Sequence, residues 1–277
     1  MQKAAYAVEA AIIGDDGIPP LHESLDELQA AGLAWRAVLD AAGTPLGAVA
    51  VGSDHRVVDI DRLVVDPAHA RRGLGARLVE SVLLDAAGSG REVTASTARD
   101  NLPARRLYES FGFRHTVDVE PEPGLWVSAY RWRQRPATRV VCLDAAGAVL
   151  LLSWRDPVDG RLLHEPPGGG LEAGEDAHQA AVRELAEETG LPGSYLTGRV
   201  VPVPRSYRWN GRRHVGVEPF HLACAPDVAP PVSPTGLTDV EQRAYLGHRW
   251  VTPSALESLD GSLEPPVLAD VVRQLTR

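Results

Sequence analysis

Gly169 to Leu191 reads GGLEAGEDAHQAAVRELAEETGL, and the organisation of the whole chain follows from it. Ala177, Ala180, Ala181 and Leu185 recur at helical spacing, so one face of a helix is apolar and turns inward. Glu184, Glu187 and Glu188 stand at i, i+3 and i+4, which crowds three carboxylates onto another patch of that helix. Like charges this close repel unless a cation neutralises them, and hard oxygen ligands suit Mg²⁺ or Mn²⁺. Arg183, four residues before Glu187, is placed to hold that carboxylate. Before the helix, Pro166-Pro167-Gly168-Gly169-Gly170 forms a turn with few side chains, and the Gly168 carbonyl is read as a further metal ligand.

The stretch also fills every specified position of G-x5-E-x7-R-E-U-x-E-E-x-G-U, where U is a bulky aliphatic: Gly169, Glu175, then Arg183 through Leu191. With ordinary residue usage, a chance match is on the order of one in ten million. The pattern resembles the Nudix box of hydrolases that cleave a nucleoside diphosphate linked to another group. The resemblance implies a Nudix α/β/α sandwich, Mg²⁺ or Mn²⁺ as cofactor, and a small-molecule nucleotide substrate. It assigns catalysis to Arg183, Glu184, Glu187 and Glu188, with Gly168, Glu184, Glu187 and Glu188 at the metal.

A chain of 277 residues suggests two domains, each able to bury a core. The net charge of −9 does not favour non-specific nucleic-acid binding. Cys142 and Cys224 are too few for a disulfide framework or a thiolate zinc site. No segment is apolar enough for a membrane span, and the N-terminus makes a poor signal peptide, so the expectation is a cytoplasmic, reduced protein. RWRQRPATR, residues 131–139, reads as a linker, with domains over 1–134 and 137–277 and the boundary near Pro136.

The first half predicts helices over 1–14, Ser24–Ala31, Ala76–Ala87 and Leu102–Phe111. Between them fall strands at Ala34–Leu39, Leu46–Gly52, Val57–Val65, Glu92–Ser96, Arg114–Val119 and Leu125–Trp132. This is a mixed sheet with helices, α/β or α+β in class. In the second half a hairpin joins Arg139–Leu143 to Val149–Trp154, and Val200–Val203 reads as a short strand. Asn210-Gly211 turns between Ser206–Trp209 and His214–Ala223, and a last helix opens at Pro266.

Arg71-Arg72-Gly73-Leu74-Gly75-Ala76 sits between a strand and a helix, where backbone N–H groups and the helix dipole converge on an anion such as a pyrophosphate. Thirty residues on comes Asn101-Leu-Pro-Ala-Arg-Arg-Leu-Tyr108-Glu-Ser-Phe-Gly-Phe113. Together these resemble the GNAT acetyltransferases and their N-x-x-A-x-x-L-Y-x-x-x-G-F segment. The resemblance covers about residues 1–133 and implies acetyl-CoA bound by Arg71–Ala76 and by the backbone of Leu63, Val64 and Val65. It implies Asn101 and Tyr108 at the reaction, with Tyr108 returning a proton to the departing thiolate, and an amine as acceptor. Asp61 is the strand carboxylate chosen as base.

The expectation is therefore a fusion of an N-acetyltransferase with a Nudix pyrophosphohydrolase. The alternative is a Nudix hydrolase regulated by an acetyl-CoA-binding domain of weak catalytic power. A further hydrolase carboxylate is expected outside the box, among Glu218, Asp227, Asp239 and Glu241, with Glu241 the choice. Trp154, Tyr207 and Trp209 are the aromatics available to stack on a base.

Overall fold

The computed structural model describes residues 1–277, which divide into two compact units: Met1–Gln134 with Arg212–Gly216, and Arg135–Gly211 with Val217–Arg277. The first unit opens with α1 (Gln2–Ile13), closed by Gly14 at φ 74°. Next come α2 (Pro19–His22), which the sequence reading had as loop, and α3 (Leu25–Ala30). Ser24 and Glu27 cap α3 reciprocally, as their spacing requires. Then follow β1 (Ala34–Leu39), β2 (Pro45–Ser53), β3 (Val57–Val65), α4 (Leu74–Gly88), β4 (Glu92–Ala98), α5 (Leu102–Ser110), β5 (Arg114–Glu122) and β6 (Leu125–Trp132).

The six strands form one mixed sheet in the order β1-β2-β3-β4-β6-β5. Its only parallel pair, β3 with β4, runs from Val57↔Glu92 to Ile60↔Ala95 and stops there. Beyond that point β4 continues against β6, while β3 runs on to Val65 against β2 alone. The two central strands part just ahead of the Arg71–Ala76 turn. A β-bulge sits at the parting: Val51 pairs with Ile60 and Ala50 with Arg62, which leaves Asp61 as the extra residue. A bulge re-aims the side chains that follow it. Val58 and Ile60 join the core beneath α4, whereas Val64 packs with Tyr6 and Ala10 of α1.

The second unit comprises β7 (Arg139–Leu143), β8 (Val149–Arg155), β9 (Leu162–Glu165), α6 (Ala177–Thr189), β10 (Leu196–Trp209), β11 (Arg212–Cys224) from Val217 on, α7 (Asp239–Ala244), β12 (Tyr245–Val251), β13 (Ser262–Leu263) and α8 (Leu268–Thr276). Its sheet runs β10-β11-β7-β8-β9-β13, with β12 paired to β8. Alternation splits the core: Val141, Val149 and Leu151 pack under α8, while Val140, Cys142 and Leu150 pack under α6. This is the two-helix sandwich that the class implies.

Four local expectations change. Val200–Val203 and Ser206–Trp209 belong to one fourteen-residue strand, β10. It runs through Pro202 and Pro204 because β10 is an edge strand, and an edge tolerates missing N–H donors. The β7–β8 hairpin pairs only at Leu143↔Val149; β7 instead runs parallel to β11. The four-residue β9 was not foreseen. The last helix begins at Leu268 rather than Pro266, with Leu268, Val271, Val272 and Leu275 buried as its spacing predicts.

Candidate active sites

Helix α6 is set by its two ends. Asp176 accepts from the N–H groups of His178 (2.9 Å) and Gln179 (2.8 Å), and Gln179 Oε1 accepts in turn from Asp176 N. Gly190 closes the helix at φ 72°. With Ala180, Ala181 and Leu185 buried against the sheet, Glu184 and Glu188 are also drawn under cover, to 9% and 6% exposure. Glu187 stays more open, its side chain 40% exposed.

Arg183 ties this face together. It donates to Glu175 (2.8 and 2.9 Å), Glu184 (2.9 Å), Glu187 (3.0 Å) and the Gly170 carbonyl (3.0 Å). The guanidinium holds Glu175 well below the usual carboxylate range, at about 2. Glu184 moves the other way, because burial outweighs the help from Arg183. Glu188 is pushed well up by burial, which Arg139 and the Gly168 N–H only partly offset.

The glycine loop lies across these carboxylates. Gly168 N donates to Glu188 Oε2 at 2.7 Å, and Thr138 N donates to the Gly169 carbonyl at 2.9 Å. Glycine is required twice here. Gly168 has φ 139°, and a Cβ there would meet Thr138 O at 2.3 Å; a Cβ on Gly169 would meet Glu184 Oε1 at 2.5 Å. The Gly168 carbonyl, expected to face a cation, instead accepts from Arg139 Nη1.

No three His, Cys, Asp or Glu side chains gather closely enough to hold a metal ion by themselves. The donor set nevertheless fits a hard divalent cation. Glu184 and Glu188 are buried carboxylates short of positive charge, and a cation that keeps several waters needs few protein ligands.

Behind the loop lies a quartet that the sequence did not announce. Arg205, 1% exposed in its side chain, contacts Glu218 (2.9 Å) and Glu165 (3.1 Å); Arg139 contacts Glu165 (3.3 Å) and Glu218 (3.5 Å). Burial alone would raise Glu218, but Arg205 and Arg139 outweigh it and hold the carboxyl low. Arg139 had been read as the end of a solvated linker. These residues come from four different strands, and no local spacing links them.

Glu241 sits at a helix start. Its Oε2 accepts from Thr238 N (2.8 Å) and Thr238 Oγ1 (2.8 Å), which completes the capping box of α7. T-x-x-E is a helix-start signal, and the structure uses Glu241 for that. Glu218, the weaker alternative, is the one joined to the loop, through Arg139. The three aromatics all pack within the fold, Trp154 fully and the other two in part. Trp154 is buried edge-on to Tyr245 at 5.4 Å, Tyr207 lies 4.2 Å from the Arg205 guanidinium, and Trp209 packs beside the Trp154 cluster.

In the first unit, the turn before α4 has Arg71 at φ 63° and Gly73 at φ 77°, with Arg71, Arg72 and Gly73 exposed. No side chain caps the N-terminus of α4, so its first N–H groups are free for an anion. Leu74 anchors the turn in the core, and Gly75 lies near Leu107 and Val65. The backbone of Leu63–Val65 has lost its β4 partner, which leaves hydrogen-bonding groups facing the gap.

Asn101 and Tyr108 stand at the two ends of α5. Asn101 is the N-cap of α5, its Oδ1 accepting from Ala104 N at 3.2 Å, because Pro103 and the cap preference of Asn start the helix there. Tyr108 is 3% exposed and packs against Phe113 and Tyr130. Burial raises its phenol further, so it keeps its proton at neutral pH. Asp61 pairs with Arg62, which also reaches Glu23 at 3.2 Å.

The buried acid pair on the capped helix, under a glycine loop of a two-helix sandwich, defines the class. The NUDIX domain profile matches residues 133–271, half of the chain, and the protein belongs to that family. The profile of the acetyltransferase (GNAT) family matches residues 11–113, so both domains are present. Among curated proteins, the chain is 33% identical over 130 residues to the UPF0157 protein YqkA of Bacillus subtilis, covering 47% of this chain and 37% of that one. It is 40% identical over 101 residues to a mycothiol acetyltransferase of Clavibacter sepedonicus (35% and 32%). It is 38% identical over 63 residues to an RNA pyrophosphohydrolase of Novosphingobium aromaticivorans (23% and 38%). The chain thus spans about a third of the length of these relatives. No helix is long and apolar enough to cross a membrane.

Proposed function

We propose that the second unit is a Mg²⁺-dependent (or Mn²⁺-dependent) pyrophosphohydrolase of a nucleoside-diphosphate-linked substrate, fused to an N-acetyltransferase acting on an amine, with both reactions in the cytoplasm. The observation that carries the hydrolase reading is the charge deficit at Glu184 and Glu188. The cation, when bound, neutralises the diphosphate and makes water a better nucleophile. Glu184 and Glu188 hold it, with Glu187 beside them. Arg183 fixes Glu184 and Glu187 on one side, and the Gly168 N–H orients Glu188 on the other. One carboxylate of this face takes the proton of the attacking water. Incubating the intact protein with Mg²⁺ and a panel of diphosphate-linked nucleotides tests this: cleavage of at least one at the diphosphate is expected, and none would overturn it.

The transferase reading rests on the parted strands beside an uncapped helix N-terminus. Arg71–Ala76 bind the pyrophosphate of acetyl-CoA, Leu63–Val65 hold the acetyl carbonyl, and Tyr108 supplies the proton to sulfur. Calorimetry with acetyl-CoA checks it. Binding without transfer to any amine would favour a regulatory domain, and no binding at millimolar ligand would end the reading.

A further inference from the structure

The sheet side of α6 begins in a pair of imidazoles that neither the glycine loop nor the acid face uses. His178, Ala181 and Leu185 stand at i, i+3 and i+7, one stripe of the helix, and Ala181 and Leu185 are buried against the sheet. His178 carries that stripe into the first turn. On the sheet, Phe220 and Leu222 of β11 pack under α8 and Ala223 packs under α6, so alternation turns His221 toward α6. The helix stripe and the strand face meet there. The His178 and His221 rings lie 5.9 Å apart between centroids, tilted by 56°.

His221 is 6% exposed, yet its Nε2, at the far end of the ring, is buried without a hydrogen-bond partner. A buried polar atom left in that state costs free energy. Burial, and after it the neighbouring His178, push the His221 imidazole below its usual range, so at pH 7 it is neutral and keeps a lone pair. His178 is exposed, and its side chain makes no hydrogen bond, so its ring can turn to meet a shared partner. Asp176, two residues earlier, spends Oδ1 on the helix cap and leaves Oδ2 unbonded. An imidazole nitrogen binds Zn²⁺ at about 2.0–2.1 Å, which sets two ring centroids on one ion roughly 5–6 Å apart.

We propose that His178 and His221 form a site for one Zn²⁺ ion, with water in its remaining positions, and that the ion clamps the first turn of α6 to β11. Nitrogen ligands suit Zn²⁺, whereas the oxygens of Glu184 and Glu188 suit Mg²⁺, so the two ends of α6 take different metals. No third side chain completes the set, so the site is weaker than a structural zinc centre with four protein ligands. The proposal does not depend on either enzymatic reading.

The test is calorimetry of ZnCl₂ into the full chain, metal-free and again with saturating MgCl₂, paired with melting curves. Wild type is expected to bind one Zn²⁺ that Mg²⁺ does not displace, and to melt several degrees higher with it. His178→Ala changes an exposed side chain and leaves the core intact. It should bind this Zn²⁺ at least tenfold more weakly and lose the rise in Tm. His221→Gln should do the same, while Glu188→Gln should keep both. No Zn²⁺ binding by wild type, or equal affinity in wild type and His178→Ala, overturns the proposal. So does loss of the bound Zn²⁺ in Glu188→Gln alone, which would put the ion on the acid face.

Discussion

The second unit buries four carboxylates in two groups, and the groups are built on opposite principles. Glu218 and Glu165 lie between Arg139 and Arg205, and Glu218 is held low despite its burial. Glu184 and Glu188 are as deeply covered, but Arg183, the Arg139 that the first group already engages and one backbone N–H do not offset their burial, and both are pushed up. Burial is common to all four; the supply of positive charge is not. The quartet is electrically complete in the bare protein, whereas the helix face lacks the charge that the proposed cation would supply.

Breaking each group should produce a different kind of damage. Glu188→Gln is expected to lower turnover about 10³-fold or more, the loss of roughly 4 kcal/mol of transition-state stabilisation. Steady-state rates at saturating Mg²⁺ check it, and a variant within a few-fold of wild type would remove Glu188 from the site. Arg205→Met leaves Glu218 and Glu165 short of charge and should cost about 3–5 kcal/mol of stability, measurable by denaturant unfolding. A loss below 1 kcal/mol would mean that the quartet does not hold the loop's surroundings together.

The pH dependence sharpens the contrast. Glu188 has a folded pKa above its unfolded value, so the native state binds the extra proton between the two. Its penalty is absent below about pH 4.5, the ordinary glutamate value, and grows as pH rises through the folded pKa. Metal-free Glu188→Gln should therefore melt above wild type at neutral pH, with the gap closing toward pH 4.5. A gap that widens on acidification would contradict the sign. The smallest effect is expected at Glu241. Glu241→Ala removes half of a capping box and should cost roughly 0.3–1.5 kcal/mol, with turnover within a few-fold of wild type.

What the sequence made legible was local. The helix and its acid face could be read from Gly169–Leu191, because spacing along one helix fixes which side chains are neighbours. The uncapped α4 turn and the α5 segment were legible for the same reason. At Glu241 the sequence carried two readings, because T-x-x-E is also a helix start, and the structure shows that start. Arg139, Glu165, Arg205 and Glu218 meet only through strand pairing, across separations of 13 to 40 residues among their hydrogen-bonded pairs, and a strand pattern does not disclose its partners. β10 read as two pieces, although an edge strand accommodates Pro202 and Pro204. The Asp61 bulge was invisible too, since one extra residue in a ladder leaves no mark on one strand alone.

The central claim is that the Glu184–Glu188 face awaits a cation, and a Mg²⁺ titration of the metal-free full chain tests it most directly. Calorimetry near neutral pH, in two buffers of different ionisation enthalpy, reports both binding and proton release. The account predicts that wild type binds Mg²⁺ with loss of protons from Glu188, and that Glu188→Gln binds at least tenfold more weakly with no such loss. Equal affinity and equal proton release in the two proteins would contradict it.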